Sequence, residues 1–346
     1  MVCYVQFNLR KLTKLTDRAV FQGKEVGKSM NHRERMAAVL AGQRPDRVPV
    51  GMWYHYSPDF TAEQAAEAHF AFVRRVDLDM IKIMYDADYF LDQKIEKVSD
   101  WYKIKPLGTA SPFYRKQRDI LRSLAKRGEG EYPIWMTMFG AFKLAVMATS
   151  DAMVMAHAAE DPKALCAGVS AIADGLCQWA DGYRSEGADG IFYSAQFGEV
   201  GRFDKETWEG LVKPWDLKVL SVAEETGGKY NVLHLCGEPE YGYKVHIDRF
   251  AAYPGAMVNW AVYPNHYEIE RGRDLFDRPI LGGLDNHGVM ARGSEQEVRQ
   301  AVYELLDRYG TENYALGADC SIESKDCEGR IRMAVEAVKD YCGTGR

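Results

Sequence analysis

Eight short apolar segments alternate with longer amphipathic segments, and this alternation constrains the fold more than any other feature of the sequence. The amphipathic segments, such as residues 161–187 and 294–310, end at glycine, as helices that lead into a strand often do. Eight strands alternating with helices predict an α/β fold, a single (β/α)8 TIM barrel. An open doubly wound sheet is the alternative, but no glycine-rich phosphate turn follows the first segment. The predicted strands span residues 48–53, 80–85, 133–140, 190–195, 230–237, 257–262, 279–285 and 314–321.

The amino-terminal part of the chain differs from the rest. Residues 1–29 are polar and basic with weak periodicity, which predicts an N-terminal extension that is disordered or loosely docked. Residues 30–346 are predicted to form the barrel domain, which begins with one helix before the first strand. Asn31 is the predicted N-cap of that helix, with Glu34 completing a capping box.

The overall charge and hydropathy exclude several classes of partner. The chain has 346 residues and a formal net charge of -6 without a block of lysine and arginine, which argues against nucleic acid or an anionic membrane. No apolar run is long enough to span a bilayer, and the N-terminus lacks the apolar core of a secretory signal. We therefore expect a cytoplasmic protein whose partner is a small organic substrate or another protein.

The active face of a (β/α)8 barrel collects the residues at the carboxyl ends of its strands. Acidic side chains at these positions include Asp86 and Asp285. The aromatic ones are predicted either to contact a flat substrate or to form a hydrophobic lid. The predicted substrate-binding residues are Trp53, Tyr54, His55, Tyr85, Gln196, Glu199 and Trp260.

Three of the residues at strand ends carry nitrogen or sulfur donors. His234 and Cys236 lie two positions apart on the fifth predicted strand, so their side chains share one face. Cys320 lies at the end of the eighth strand, across the barrel mouth. Imidazole and thiolates suit Zn2+, and three ligands leave one coordination position for substrate. The alternative is that all three are ordinary packed residues.

From Met30 to Ile322 the sequence resembles the uroporphyrinogen decarboxylase superfamily. The resemblance lies in the stretch NHRERMAAVLAGQRPDRVPV at the first helix and strand, GADGIFYSA at the fourth strand, LGGLD at the seventh and GADCSI at the eighth. It implies a (β/α)8 barrel. It also implies that Asp86 occupies the position of the catalytic aspartate after strand two and that Asp285 is an acid shared across the superfamily, orienting substrate or capping the next helix.

The decarboxylase branch of this superfamily has two motifs that this chain lacks. It carries an R-x-x-x-R pair after strand one, where this sequence reads GMWYHYSPDF, and Gly-His-Gly at strand eight, where this sequence reads GADCS. Without those guanidinium groups a substrate with many carboxylates would lack its bidentate partners.

The chain is more similar to the methylcobamide:coenzyme M methyltransferase and corrinoid-dependent demethylase branch. That branch binds zinc through His-x-Cys at strand five and Cys at strand eight, which His234, Cys236 and Cys320 match. The resemblance implies methyl transfer between a cobalamin on a partner corrinoid protein and a thiol or an O- or N-methyl substrate. Gln196, Glu199 and Glu238 are candidates for a fourth zinc ligand. The alternatives are a metal-free porphyrinogen decarboxylase and a non-catalytic corrinoid-handling barrel.

Overall fold

The computed structural model describes residues 29–226, 230–323 and 326–343. Eight parallel strands form a single sheet in which the strands from β2 to β8 each pair with the next in the chain and β1 pairs with β8. The N–H of Asp79, just before β2, donates to the Val50 carbonyl of β1 and links the two ends of the sheet. The fold is a (β/α)8 TIM barrel, as the alternation of segments predicts. The strands are β1 Val50–Gly51, β2 Ile81–Ile83, β3 Ile134–Phe139, β4 Gly190–Ala195, β5 Val232–Leu235, β6 Met257–Trp260, β7 Ile280–Leu284 and β8 Tyr314–Ala318.

The helices pack around this sheet. They are α1 His32–Leu40, α2 Ala62–Val76, α3 Pro112–Gly128, α4 Ala141–Ala148, α5 Asp151–Glu160, α6 Pro162–Ser185, α7 Lys205–Leu211, α8 Lys213–Glu225, α9 Val262–Asn265, α10 Ile269–Phe276, α11 Val289–Arg292, α12 Glu295–Tyr309 and α13 Cys327–Gly343. Short 3-10 turns occupy Val98–Lys103, Gly108–Ala110, Pro239–Tyr241 and Ile247–Phe250.

Helix α1 begins where the sequence predicts. Asn31 accepts a hydrogen bond from the backbone of Glu34, and the Glu34 side chain accepts one from the backbone of Asn31, which confirms the capping box. Met36 and Val39 of this helix pack into the barrel interior and close its amino-terminal end. Residues 1–28 of the predicted extension lie outside the described residues, so that assignment stays a prediction.

The barrel interior is a small apolar cluster of its own. It is distinct from the larger cluster between strands and helices, because successive side chains of a strand point to opposite faces. The interior residues are Met36, Val39, Trp53, Met80, Met84, Trp135, Phe192, Val232, Met257, Leu281 and Ala315. Above this cluster, the carboxyl ends of the strands carry polar side chains.

Buried polar side chains join neighbouring strands at the amino-terminal end. Asp79 accepts a hydrogen bond from the backbone N–H of Val50 at 2.7 Å, while its own N–H donates to the Val50 carbonyl at 2.9 Å. In the same way Asp189 accepts from Ile134 N–H and Asn231 from Ile191 N–H. Each polar residue lies one or two positions before a strand and satisfies the N–H of the first or second residue of the preceding strand.

Seven of the observed strands are shorter than predicted, and β4 matches exactly. The predicted segments 230–237 and 314–321 continue past the strand ends at Leu235 and Ala318 into the loops that carry Cys236 and Cys320. No helix within the described ranges is long and apolar enough to cross a membrane.

Candidate metal centre

His234, Cys236 and Cys320 meet at the carboxyl end of the barrel. A ring nitrogen of His234 and the two sulfurs all lie within 4.8 Å of one another, and Cys320 Sγ lies 3.4 Å from His234 Nε2. Ligands bound tetrahedrally at the usual zinc distances are about 3.5 to 3.8 Å apart. The three donors are therefore spaced as ligands of a single ion would be.

The strand geometry positions these donors. His234 is paired with Ser194 of β4 and Asn259 of β6, and the backbone N–H of Cys236 donates to the Ala195 carbonyl at 2.9 Å. Strand β5 thus stays in register with β4 as far as Cys236, which keeps both donors on the inner face. Cys320 is held next to them by the preceding residue Asp319, whose N–H donates to the Leu284 carbonyl at 2.9 Å.

Asn259 determines which nitrogen of His234 is free. Its Nδ2 donates to the carbonyls of Leu281 at 2.7 Å and Ala318 at 3.1 Å, so its Oδ1 is the atom that faces His234 Nδ1. Because Oδ1 can only accept, Nδ1 must carry the imidazole proton. The lone pair is then on Nε2, the nitrogen that faces Cys320. In metal-bound histidines, a hydrogen bond from the ring nitrogen that does not bind the metal fixes the orientation of the ring. Sequence analysis missed Asn259, although a polar residue two positions after Met257 on an apolar strand is a recognisable signal.

The two thiols form a hydrogen-bonded pair. This hydrogen bond raises the pKa of Cys236 well above its ordinary value and lowers the pKa of Cys320 well below its own. The pair thus makes Cys320, which faces the His234 ring, the more acidic of the two thiols. Coordination to a divalent cation removes the protons of both thiols.

A polar chain lies beside Cys236. Glu238 Oε1 accepts hydrogen bonds from Lys143 Nζ at 2.6 Å and from Gln196 Nε2 at 3.1 Å. A hydrogen bond from Gln196 also acts to lower the pKa of Cys236. Glu199 is fully buried, burial raises the pKa of its carboxyl, and Arg202 lies 3.6 Å away. Among the described residues, no carboxylate joins the three-donor group.

Two rings form an apolar wall against His234. Trp53 contacts the imidazole edge-on at 6.2 Å between ring centroids, and Phe192 lies at 5.7 Å. Both rings are buried in the barrel interior. Trp53, a predicted substrate-binding residue, thus lies next to His234, and Phe192 is not among the predicted site residues.

The two predicted catalytic acids lie on the rim. Asp86 holds the His55 ring at 2.6 Å through one oxygen and accepts the Tyr56 N–H at 2.8 Å through the other. Asp285 accepts the N–H of His287 at 2.9 Å, within the turn that precedes α11. It is not the N-cap of α11, since that position is Gly288. Both oxygens of Asp86 are thus engaged by the loop after β1.

Three predicted substrate-binding aromatics do not face the three donors. Tyr85 packs against the rings of Phe113 and Phe139 outside the barrel, and Trp260 donates to the Tyr267 carbonyl against α10. Both follow an inward-facing residue by one position, so their side chains point outward. Tyr54 is half-buried against Phe72 and donates to Glu328 at 3.0 Å. The predicted mouth positions of Tyr85 and Trp260 are thereby corrected.

Lys82 is a charged residue of the interior that sequence analysis missed. It lies between Met80 and Met84 on the inner face of β2 and is 8% exposed. Its ammonium lies 4.9 Å from the ring centroid of Trp53 and 4.8 Å from that of Phe192. Burial lowers the pKa of Lys82 to about 8, although the negative charges of Cys320, Asp86 and Cys236 act in the opposite direction. The signal in the sequence is a lysine within the apolar strand MIKIMY.

Solved structures share this fold. A methyltransferase from Methanosarcina mazei matches with a TM-score of 0.71 and 13% identity, over 90% of this chain and 99% of that chain. A B12-independent methionine synthase from Shewanella in complex with selenomethionine matches with a TM-score of 0.56 and 14% identity, over 87% and 95%. A GH5_18 protein from Streptomyces cattleya in complex with GlcNAc matches with a TM-score of 0.51 and 14% identity, over 85% of this chain and 81% of that chain. At such identities the likeness establishes the shared barrel alone.

The sequence itself identifies the family. Comparison with the curated proteins finds no match. The family model for uroporphyrinogen decarboxylase (URO-D), in contrast, matches residues 89–341, which is more than half of the chain. The match includes His234, Cys236 and Cys320. The stretch at residues 31–50, which resembles the first helix and strand of the superfamily, lies before the matched region. The chain belongs to the uroporphyrinogen decarboxylase family.

Proposed function

We propose that this protein is a zinc-dependent methyltransferase. It would move a methyl group between a corrinoid carried by a partner protein and a small thiol or O- or N-methyl substrate. The observation that carries the proposal is the meeting of His234, Cys236 and Cys320 within 4.8 Å at the carboxyl end of the barrel. This is the end at which barrel enzymes hold their active sites.

The donor set suits zinc in charge as well as in spacing. Two thiolates and one neutral imidazole carry two negative charges, which one divalent cation balances. When bound, zinc supplies a Lewis acid that keeps a substrate thiol deprotonated or polarises the leaving atom of a methyl donor. A softer donor set of this kind is not expected to select Mg2+ or Ca2+.

The surrounding residues prepare the site for such chemistry. Asn259 holds the proton of His234 on Nδ1, so that Nε2 is available as a ligand. Trp53 and Phe192 exclude water from one side of the imidazole. The fourth position is left to substrate, because no described carboxylate joins the group.

The structural comparisons agree with a methyl-group substrate. Two of the matching barrels are described as a methyltransferase and as a methionine synthase. Within the described residues the chain forms one barrel without a second domain that would carry a corrinoid. We therefore propose that the corrinoid arrives on another protein, which docks over the carboxyl end of the barrel.

Decarboxylation is the second candidate, and the family match favours it. The decarboxylase branch would use Asp86 as its catalytic acid. Asp86, however, already binds His55 and the Tyr56 N–H through its two oxygens. Each of its oxygens is thus already used in holding the loop after β1, and the three-donor group would have no role in that reaction.

Metal content tests the proposal directly. We expect about one zinc ion per chain in the purified wild type. Cys236→Ser and Cys320→Ser should each lose the metal and the demethylation of methylcobalamin by a panel of thiols. Cys177→Ser is the matched control, since Cys177 is a half-buried thiol on α6 that contacts only the Lys218 carbonyl at 3.8 Å among its recorded hydrogen bonds. It should retain both metal and activity.

Two results would overturn methyl transfer. One is a wild-type protein that lacks zinc after expression and purification in zinc-containing medium. The other is a metal-free protein that decarboxylates a porphyrinogen at the same rate in the wild type and in both cysteine variants.

A further inference from the structure

Among the described residues, no carboxylate pairs with the ammonium of Lys82 in the barrel interior. Its recorded polar contact within the described residues is Met84 Sδ at 3.1 Å, a weak acceptor. No carboxylate of the described chain lies within ion-pair distance of it. An ammonium has three donors and is costly to bury without partners. Contacts with two aromatic rings offset part of this cost.

The negative groups that act on Lys82 are all engaged elsewhere. They are the thiols of Cys320 and Cys236 and the carboxyl of Asp86. Asp86 is bound by His55 and by the Tyr56 N–H. The two sulfurs are the proposed metal ligands, and a divalent cation would balance their charge. With the metal in place, Lys82 is the uncompensated positive charge of this interior.

Lys82 and the candidate ligand His234 contact the same two aromatic rings. Trp53 and Phe192, the two rings that contact its ammonium, are also the two that contact the imidazole of His234. A small molecule bound at the open position beside His234 therefore lies within the same aromatic enclosure as the ammonium.

We propose that Lys82 binds an anionic group of the substrate, a carboxylate, sulfonate or phosphate, and so sets the specificity of the site for small anions. The inference rests on the proposed function in two respects, the metal that balances the charge of the two sulfurs and the naming of the methyl donor or acceptor as the bearer of that group. The anion supplies the negative charge that no carboxylate of the described residues supplies to Lys82. It also fixes the far end of the substrate while the reacting end points to the three donors.

Binding of a matched ligand pair tests this proposal without methyl transfer. Propanoate and propanamide have nearly the same shape and differ in charge, and their dissociation constants are measurable by calorimetry. We expect the wild type to bind propanoate at least about tenfold more tightly than propanamide. Lys82→Met should remove this preference and leave propanamide binding unchanged, and Lys82→Arg should retain most of it.

The control is Lys213→Met, because the Lys213 ammonium also lies over an aromatic ring, 5.6 Å from the Trp208 centroid, but is paired with Glu209. This variant should keep the preference for propanoate. A purely structural role for Lys82 predicts a lower Tm for Lys82→Met. Our proposal predicts an equal or higher Tm, since the variant removes an uncompensated buried charge.

Zinc analysis of the same samples separates the two proposals. A zinc-containing wild type without a preference for propanoate would overturn the role of Lys82 and leave methyl transfer standing. A preference that depends on Lys82 in a protein without zinc would support the anion site and overturn methyl transfer.

Discussion

A single side chain, Asn259, shows how the interior of the barrel prepares a donor. Its amide nitrogen is held by the carbonyls of Leu281 and Ala318, and this arrangement turns its oxygen toward His234. Neither carbonyl is identifiable from the sequence, since both belong to strands far along the chain. The tautomer of His234 on β5 is therefore set by residues of β6, β7 and β8 together.

Replacing Asn259 should weaken metal binding without removing a ligand. Asn259→Leu lets the His234 ring rotate and take either tautomer, and losing such an outer partner costs roughly 10- to 100-fold in metal affinity. Competition with a chromophoric chelator measures the change. Asn231→Leu is the control, because Asn231 is equally buried but lies at the opposite end of the barrel. It should lower stability and leave metal affinity unchanged, and equal affinity losses in the two variants would contradict the role of Asn259.

The parity of residues along a strand explains which site residues were predictable. His234 and Cys236 were paired correctly on one face because side chains alternate in any strand. Tyr85 and Trp260 were chosen by their closeness to a strand end. They follow Met84 and Asn259, which face inward, so the same alternation turns them outward.

At the scale of elements, Asp79 joins β1 to the start of β2. It is fully buried and binds Arg35 and Arg47 at 2.6 Å, the His32 ring at 2.9 Å and the Val50 N–H at 2.7 Å. Burial acts to raise the pKa of Asp79, but the hydrogen bond from His32 and the charges of Arg47 and Arg35 outweigh it and keep the pKa below 3.8. This stabilisation is present above the ordinary pKa and is lost as the pH falls through the folded-state value.

Asp79→Asn should therefore destabilise the barrel strongly. The amide keeps the shape but leaves two largely buried guanidinium groups without their shared charge, a loss of about 3 to 5 kcal/mol. Urea denaturation at neutral pH measures it. Glu186→Gln breaks the exposed pair with Arg122 and should cost at most about 1 kcal/mol. Similar midpoints for the two variants would show that Asp79 does not hold the strands together.

The sequence predicts elements better than the contacts between them. Eight alternating segments suffice for the barrel, because strand and helix periodicities are local. The partners of Asp79, by contrast, come from α1, from the segment before β1 and from β1 itself, and a polar residue before a strand does not reveal them. The same limit applies to Lys82, whose ammonium contacts Trp53 after β1 and Phe192 of β4.

At the scale of the whole molecule, closure of the sheet brings together residues that are distant in the chain. His234 and Cys320 are separated by 86 positions, yet their donor atoms lie 3.4 Å apart. The order of strands around the barrel does not make β5 and β8 neighbours, so their carboxyl ends meet only across the mouth. The three-donor group therefore exists only in the closed fold, and a bound metal is expected to stabilise the whole barrel by binding the folded state alone.

A buried carboxyl outside the barrel gives the whole fold a pH dependence. Asp216 of α8 is 2% exposed and accepts hydrogen bonds from Tyr193 of β4 at 2.6 Å and from Tyr253 at 3.1 Å. Burial raises its pKa from 3.8 to about 7, so the folded protein retains a proton that the unfolded chain has released. This contribution to stability is complete below the unfolded pKa and is lost as the pH rises through about 7.

Asp216→Asn is neutral at every pH and should flatten this decline. The free energy of unfolding in urea, measured at about pH 5 and about pH 8, should therefore fall more in the wild type than in the variant. Asp248→Asn, at an exposed carboxyl, should follow the wild type, and parallel pH curves for wild type and Asp216→Asn would mean that Asp216 stays ionised in its buried position.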